Sequence, residues 1–148
     1  MTVPDDQRFL EIALREAEAG LSEGGIPIGA CLVRSGEVIG VGRNQRVQSG
    51  DPTAHGEISA IRAAGRQRTY RDTVIYSTLM PCHLCAGAIV QFGISRVVAG
   101  ESTTFPGAQD FMRERRVPVE VLDDARCVAL MERFIERHPE LWAEDIGA

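Results

Sequence analysis

The sequence predicts an α/β domain: a five-stranded mixed sheet with helices on both faces, in three α-β-α layers. Three observations predict it. Apolar residues recur at helical spacing in the first 23 positions and then in short β-branched runs. The first two of those runs are separated only by Ser35-Gly36, which marks a hairpin. Each later run is set off from the next by a segment of helical character, and such an alternation covers a sheet on both sides. The 148 residues, 44% hydrophobic and 25% charged, are enough for one domain spanning 1–148 with a substantial core.

The elements follow in order. Residues 5–23 read as an amphipathic helix with Phe9, Leu10, Ala13, Leu14, Ala17 and Leu21 near one stripe, stopped by Gly24-Gly25. Ile26–Arg34 and Glu37–Arg43 are the hairpin strands, and Arg43–Pro52 is a polar loop. A helix is expected over His55–Arg68, then a strand over Thr73–Thr78 centred on Val74-Ile75-Tyr76. Cys82–Phe92 is the next helix, ended by Gly93. Pro81 suits the first position of its first turn, where a missing N–H costs nothing and φ is already helical. Arg96–Gly100 is a strand, Glu101–Gly107 a loop leading into a short helix, and Val117–Leu122 the last strand. Asp123-Asp124 caps a helix whose Cys127, Val128, Met131, Phe134 and Ile135 form a core-facing stripe. Pro139–Ile146 is a final short helix. No repeat, linker or low-complexity segment interrupts the order.

Composition excludes several classes of function. No apolar run is long enough to span a membrane, and residues 1–6 lack the basic and apolar regions of a secretion signal. Net charge is −5, which argues against an extended nucleic-acid surface. All 16 cationic side chains are arginines. The basic cluster Arg113-Glu114-Arg115-Arg116 is short, carries an acid, and reads as a solvated helix end. Four cysteines, two of them in a metal-type pattern, suit a reducing cytoplasm rather than a disulfide framework.

That pattern is His55-Gly56-Glu57 followed, beyond one helix and one strand, by Pro81-Cys82-His83-Leu84-Cys85. Zinc prefers imidazole and thiolate, and a catalytic zinc keeps three protein ligands so that water can hold the fourth position. His55, Cys82 and Cys85 make three. Cys82 and Cys85 are spaced to share one face of a helical turn, whose positive end favours thiolate. Glu57 is two residues from His55 and is not needed as a ligand. At a helix start one of the two can bind metal while the other reaches over a substrate. A metal that supplies hydroxide at neutral pH, with a free carboxylate to move protons among hydroxide, ring nitrogen and leaving amine, is the equipment of hydrolytic deamination. A bare Cys-x-x-Cys could instead be a redox pair or half of a structural site, but a structural site wants a fourth ligand. Cys31 and Cys127 lie in apolar stretches, and His83 and His138 lack the spacing of such a ligand.

Beyond these motifs, the chain from Gly42 onward resembles the small zinc-dependent, fungal-type cytosine deaminases of the cytidine deaminase-like superfamily. The matching segments are Gly42-Arg43-Asn44, His55-Gly56-Glu57-Ile58-Ser59, Thr78-Leu79-Met80-Pro81-Cys82, Gly87-Ala88-Ile89, Gly93-Ile94-Ser95-Arg96 and Val98-Ala99-Gly100-Glu101. Asp123-Asp124-Ala125-Arg126-Cys127 and the terminal Trp142-Ala143-Glu144-Asp145-Ile146-Gly147 complete them. The terminus is the most specific match, and the first 40 residues match only in pattern. The resemblance implies the cytidine deaminase-like fold, one zinc per chain on His55, Cys82 and Cys85, and Glu57 as proton shuttle. It also implies that Asn44 and the Gly56 N–H hold the polar edge of a free base. The Met80 carbonyl and the Asp145 carboxylate would accept from its amino group, and Phe105, Trp142 and Ile146 would line the pocket. The family has a small polar residue where this chain has Met80. The implied reaction is cytosine to uracil plus ammonia, in pyrimidine salvage, by a cytoplasmic homodimer whose helices around the second metal motif pack across the interface. The motifs alone also admit another amino-heterocycle (guanine, an aminotriazine, a pterin), a tRNA adenosine, or a zinc-stabilised module without catalysis. Glu57 argues against the last, and the acidic charge and closing terminus argue against the tRNA substrate.

Overall fold

The computed structural model describes residues 4–148, so the first three of the six residues read for a secretion signal lie outside it. Five strands form one sheet: β1 (Gly29–Arg34), β2 (Glu37–Arg43), β3 (Thr73–Ser77), β4 (Arg96–Ala99) and β5 (Val119–Val121). Their order is β2-β1-β3-β4-β5. β1 pairs antiparallel with β2 and β3, whereas β3–β4 and β4–β5 are parallel, giving the mixed sheet expected. The hairpin turn puts both Ser35 (φ 49°) and Gly36 (φ 78°) in the left-handed region, the geometry whose twist matches two antiparallel strands.

Side-chain alternation divides the core between the two faces. Cys31, Val33, Tyr76 and Val98 pack with Phe9 of α1 (Pro4–Ser22), and α6 (Ala125–Arg137) adds Cys127 against Leu10 and Leu14. The alternate residues Leu32, Ile75, Val97 and Val119 meet Ala86 and Ile89 of α4 (His83–Phe92) and Met112 of α5 (Gln109–Glu114). On that same side α3 (Gly56–Ala64) lies close against β2 because two glycines admit it. A Cβ on Gly42 would fall 2.3 Å from Ala60 N, and one on Gly40 would fall 2.4 Å from Ala60 O. On the other face, the buried Asp6 carboxylate accepts from Tyr76 Oη at 2.7 Å and from Arg96 Nη2 at 2.6 Å, tying α1 to β3 and β4.

Several boundaries differ from the sequence reading. The Ile26–Arg34 strand begins only at Gly29, since Ile28 N–H turns back to Ile26 O at 2.8 Å around Pro27. The helix expected to Arg68 ends at Ala64, where Gly65 takes φ 73°. The polar loop contains a single helical turn, α2 (Arg46–Ser49), too short to show a period. The final strand is trimmed to Val119–Val121. Leu21 of the expected stripe is 36% exposed, in the last turn of α1. Asp124 is the cap of α6, accepting from Arg126 N at 2.8 Å, and α7 (Pro139–Ile146) closes the chain. Arg113–Arg116 are exposed at the end of α5, as expected.

Candidate active site

Two helix N-termini converge on the site. His55 is the N-cap of α3 and Cys82 the N-cap of α4, both with extended backbone and neither using its side chain to cap. Their side chains are therefore free to face each other, with Cys82 Sγ 3.3 Å from His55 Nδ1. Pro81 is thus not the first helical residue: α4 starts at His83, and Pro81 precedes the cap, its carbonyl accepting from Ala108 N–H at 2.9 Å. Cys85 follows within the first turn of α4, fully buried behind Cys82. One ligand atom from each of His55, Cys82 and Cys85 lies within 4.8 Å of the others.

Electrostatics say what these donors need. The Cys85 thiol, followed by His55 and the Cys85 N–H, stabilises a Cys82 thiolate against the cost of burial and holds it down at about 4. The charge on Cys82 and burial push Cys85 well above the ordinary thiol range. Two thiols this close cannot both ionise without a cation between them, so an N,S,S donor set of this kind fits zinc. Burial opposes the His55 imidazolium, but Cys82 and then Asp145 and Glu57 outweigh it, for a net rise to about 9.

Glu57 sits in the first turn of α3, 4% exposed. Burial, and then the negative Cys82, raise its carboxyl to about 7. A carboxyl raised above its ordinary range is a stronger proton acceptor, as a group that shuttles protons needs to be. Gly56, at the start of the same helix, has an N–H for which the helix offers no partner, so it is available to a ligand.

A tight pocket, its free volume about 10 Å³, lies here and is lined by every sequence-predicted site residue except Cys85. Asn44 and Asp145 meet across 101 positions of sequence, with Asn44 Nδ2 donating to Asp145 Oδ1 at 3.0 Å. Asn44 Oδ1 in turn accepts from Arg46 N–H at 3.0 Å, so its amide keeps one free donor hydrogen and one free lone pair. Asp145 Oδ1 also lies 3.7 Å from His55 Nε2, and burial raises its carboxyl despite His55 and Asn44. The Phe105 ring stands edge-on to Trp142, with centroids 5.4 Å apart and planes at 89°. Trp142 is only 8% exposed, and it packs with Ile146, Met131 and Phe134, so α7 is anchored to α6 over the pocket.

Met80 resolves into a core residue. It is 1% exposed and packs with Ile75, Ala86 and Met112, in space left by Gly107, where a Cβ would sit 2.7 Å from Met80 Cγ. The pocket wall also includes Ile28 and Leu79, which sequence reasoning missed because apolar residues beside strands read as ordinary core. Cys31 and Cys127 are buried thiols pushed up to about 12 by burial, and His83 and His138 are exposed and outside the pocket.

Comparison with known proteins agrees with this geometry. A Candida albicans cytosine deaminase is 46% identical over 146 residues, covering 97% of each chain. A tRNA-specific adenosine deaminase of Buchnera aphidicola is 44% identical over 100 residues, 66% of each chain. Among solved structures, a tRNA:A34 deaminase superposes with a TM-score of 0.74 at 30% identity, over 84% of this chain and 99% of that one. Residues 3–101 match the family described as the cytidine and deoxycytidylate deaminase zinc-binding region, and the chain belongs to that family.

Proposed function

We propose that this protein converts free cytosine to uracil and ammonia by zinc-dependent hydrolysis. The observation that carries the reading is the cover that α7 lays over the pocket. α7 brings Trp142 and Ile146 over the site and places Asp145 against Asn44 and His55, a cover that disfavours a base tethered to a polynucleotide, which needs an open mouth. Near-full-length similarity to a cytosine deaminase supports the same substrate.

His55, Cys82 and Cys85 would hold the zinc. Bound there with a position left open, it supplies water acidic enough to yield hydroxide near pH 7. Glu57 takes one proton from the water and delivers it to ring N3, so that C4 becomes electrophilic and the water oxygen adds there; it then moves the remaining hydroxyl proton to the amine as the C4–N bond breaks. The Gly56 N–H and the free capacity of the Asn44 amide hold the polar edge of the ring. The Met80 carbonyl and the Asp145 carboxylate accept from the amino group and orient it. Phe105, Trp142 and Ile146 exclude bulk water and strengthen these polar contacts.

The reading extends to a homodimer. On α4, Leu84 (45% exposed) and Phe92 (47%) flank Gly87 and Ala88 on one outward stripe, and a Cβ on Gly87 would meet nothing within 4 Å. A second copy laid along that stripe covers both large side chains, and light scattering of Leu84→Glu should show dissociation. The four free cysteines suit a reducing cytoplasm and a role in pyrimidine salvage, and among the described residues no helix is long and apolar enough to cross a membrane. Ammonia release measured side by side from cytosine, guanine, adenine, an aminotriazine and a pterin tests the function. Cytosine should be the preferred substrate, and a clear preference for any of the others overturns the assignment.

A further inference from the structure

Glu101 is a buried acid that the mechanism above leaves unused. It lies two residues beyond β4 at 0% exposure, and among the described residues no cation pairs with it. Burying an unpaired carboxylate is costly, so it persists only where hydrogen bonds hold it. Two do, both from one residue: Thr104 N–H donates to Oε2 at 2.9 Å and the Thr104 hydroxyl to Oε1 at 2.5 Å. Its backbone carbonyl accepts from Met80 N–H at 2.9 Å.

These bonds define how the 101–108 loop is held. The loop is fastened to the Met80-Pro81 segment at both ends, by Met80 N–H to Glu101 O and by Ala108 N–H to Pro81 O. Gly107 makes the second attachment possible, with φ 59° and so little room that a Cβ would sit 2.6 Å from Pro81 O. Between the attachments, the Glu101 carboxylate ties down the turn that delivers Phe105, the next residue after Thr104, edge-on to Trp142. One side chain therefore controls the position of the aromatic wall, while its own peptide anchors Met80.

We propose that Glu101 is a positioning residue that sets the mouth of the pocket and, through it, the rejection of bases substituted at N1. It touches no substrate atom and acts through Thr104 and Phe105. The inference rests on the base-binding role given to the pocket above. Loss of the carboxylate's grip frees the Phe105 turn, so the mouth admits a larger ligand and holds cytosine less firmly, while zinc and Glu57 stay in place.

The test compares kcat and KM for cytosine and for 1-methylcytosine in wild type, Thr104→Val, Thr104→Ser and Glu101→Gln, with zinc content and thermal midpoint measured on each. Thr104→Val keeps size and the backbone bond but loses the hydroxyl donor. Its preference for cytosine over 1-methylcytosine should fall about tenfold, through KM rather than kcat, as expected for loss of a hydrogen bond to a charged group. Thr104→Ser should restore the wild-type preference, and Glu101→Gln should fall between them with about one zinc per chain. Should Glu101→Gln fail to fold, the two Thr104 variants decide alone. Zinc-replete variants that keep the wild-type preference overturn the proposal, as does a proportional loss on both substrates with the ratio unchanged. A wild type with no preference at all instead removes the base-binding reading beneath it.

Discussion

Asp145→Ala is the substitution whose consequence can be worked furthest. Asp145 is 9% exposed, accepts from Asn44 Nδ2 at 3.0 Å, and lies 3.7 Å from His55 Nε2. Truncation leaves the Asn44 amide without its acceptor and, on the proposed binding mode, a substrate amino group without one of its two partners. An unpaired buried polar group costs about 1–3 kcal/mol. At about 1.4 kcal/mol per tenfold, that is a loss of roughly 5- to 150-fold in kcat/KM for cytosine. The metal ligands come from α3 and α4, so zinc content should stay near wild type. Asp145→Asn sharpens the test. Its amide oxygen can still accept from Asn44, so stability should recover more than activity does. Steady-state cytosine deamination with parallel metal analysis gives both readouts. An Asp145→Ala enzyme within about threefold of wild type, with zinc bound, would refute the argument, since even the low end of the polar-contact cost predicts more.

Three further expectations follow from the same geometry. Glu57→Gln should retain fold and zinc and lose at least 10²–10⁴-fold in kcat, the range of general acid–base catalysis; a loss under about tenfold would mean that another group carries the protons. Cys85→Ala should drop bound zinc well below one equivalent, and full zinc with full activity would remove Cys85 from the ligand set. Asp124→Ala should lower stability by about 1 kcal/mol in urea denaturation at pH 7, the usual worth of an N-cap. Because Arg126, against the cost of burial, holds the Asp124 carboxyl below its ordinary 3.8, that contribution is complete above this value and declines as pH falls below it. A penalty that grew on acidification would contradict the sign.

The metal centre was legible in the sequence because its information is local. His55 and Glu57 are two apart, Cys82 and Cys85 three, and each pair sits at one helix start. The register of that start was less legible. Pro81 satisfies every local rule for a first helical residue, yet its carbonyl is held by Ala108 N–H, a contact 27 positions away, and Cys82 takes the cap. The alternation of strands and helices identified the layers, while strand ends were lost wherever hydrogen bonds outside the run decided them, as at Ile26–Ile28. Ile28, Leu79 and Glu101 were given no site role for a shared reason. Their type does not distinguish a pocket wall or a loop anchor from ordinary packing, and only the meeting of distant segments assigns the role. The Asn44–Asp145 bond is the extreme case, since nothing near either residue announces the other.

The most direct test of the account is the ratio of kcat/KM for cytosine to that for cytidine on the zinc-loaded wild-type protein. If Trp142, Asp145 and Ile146 close the pocket around a free base, a ribose on N1 has nowhere to go, and a steric clash worth even about 3 kcal/mol makes the ratio exceed a hundredfold. Comparable values for the two substrates would contradict the closed pocket and, with it, the assignment of a free base as substrate.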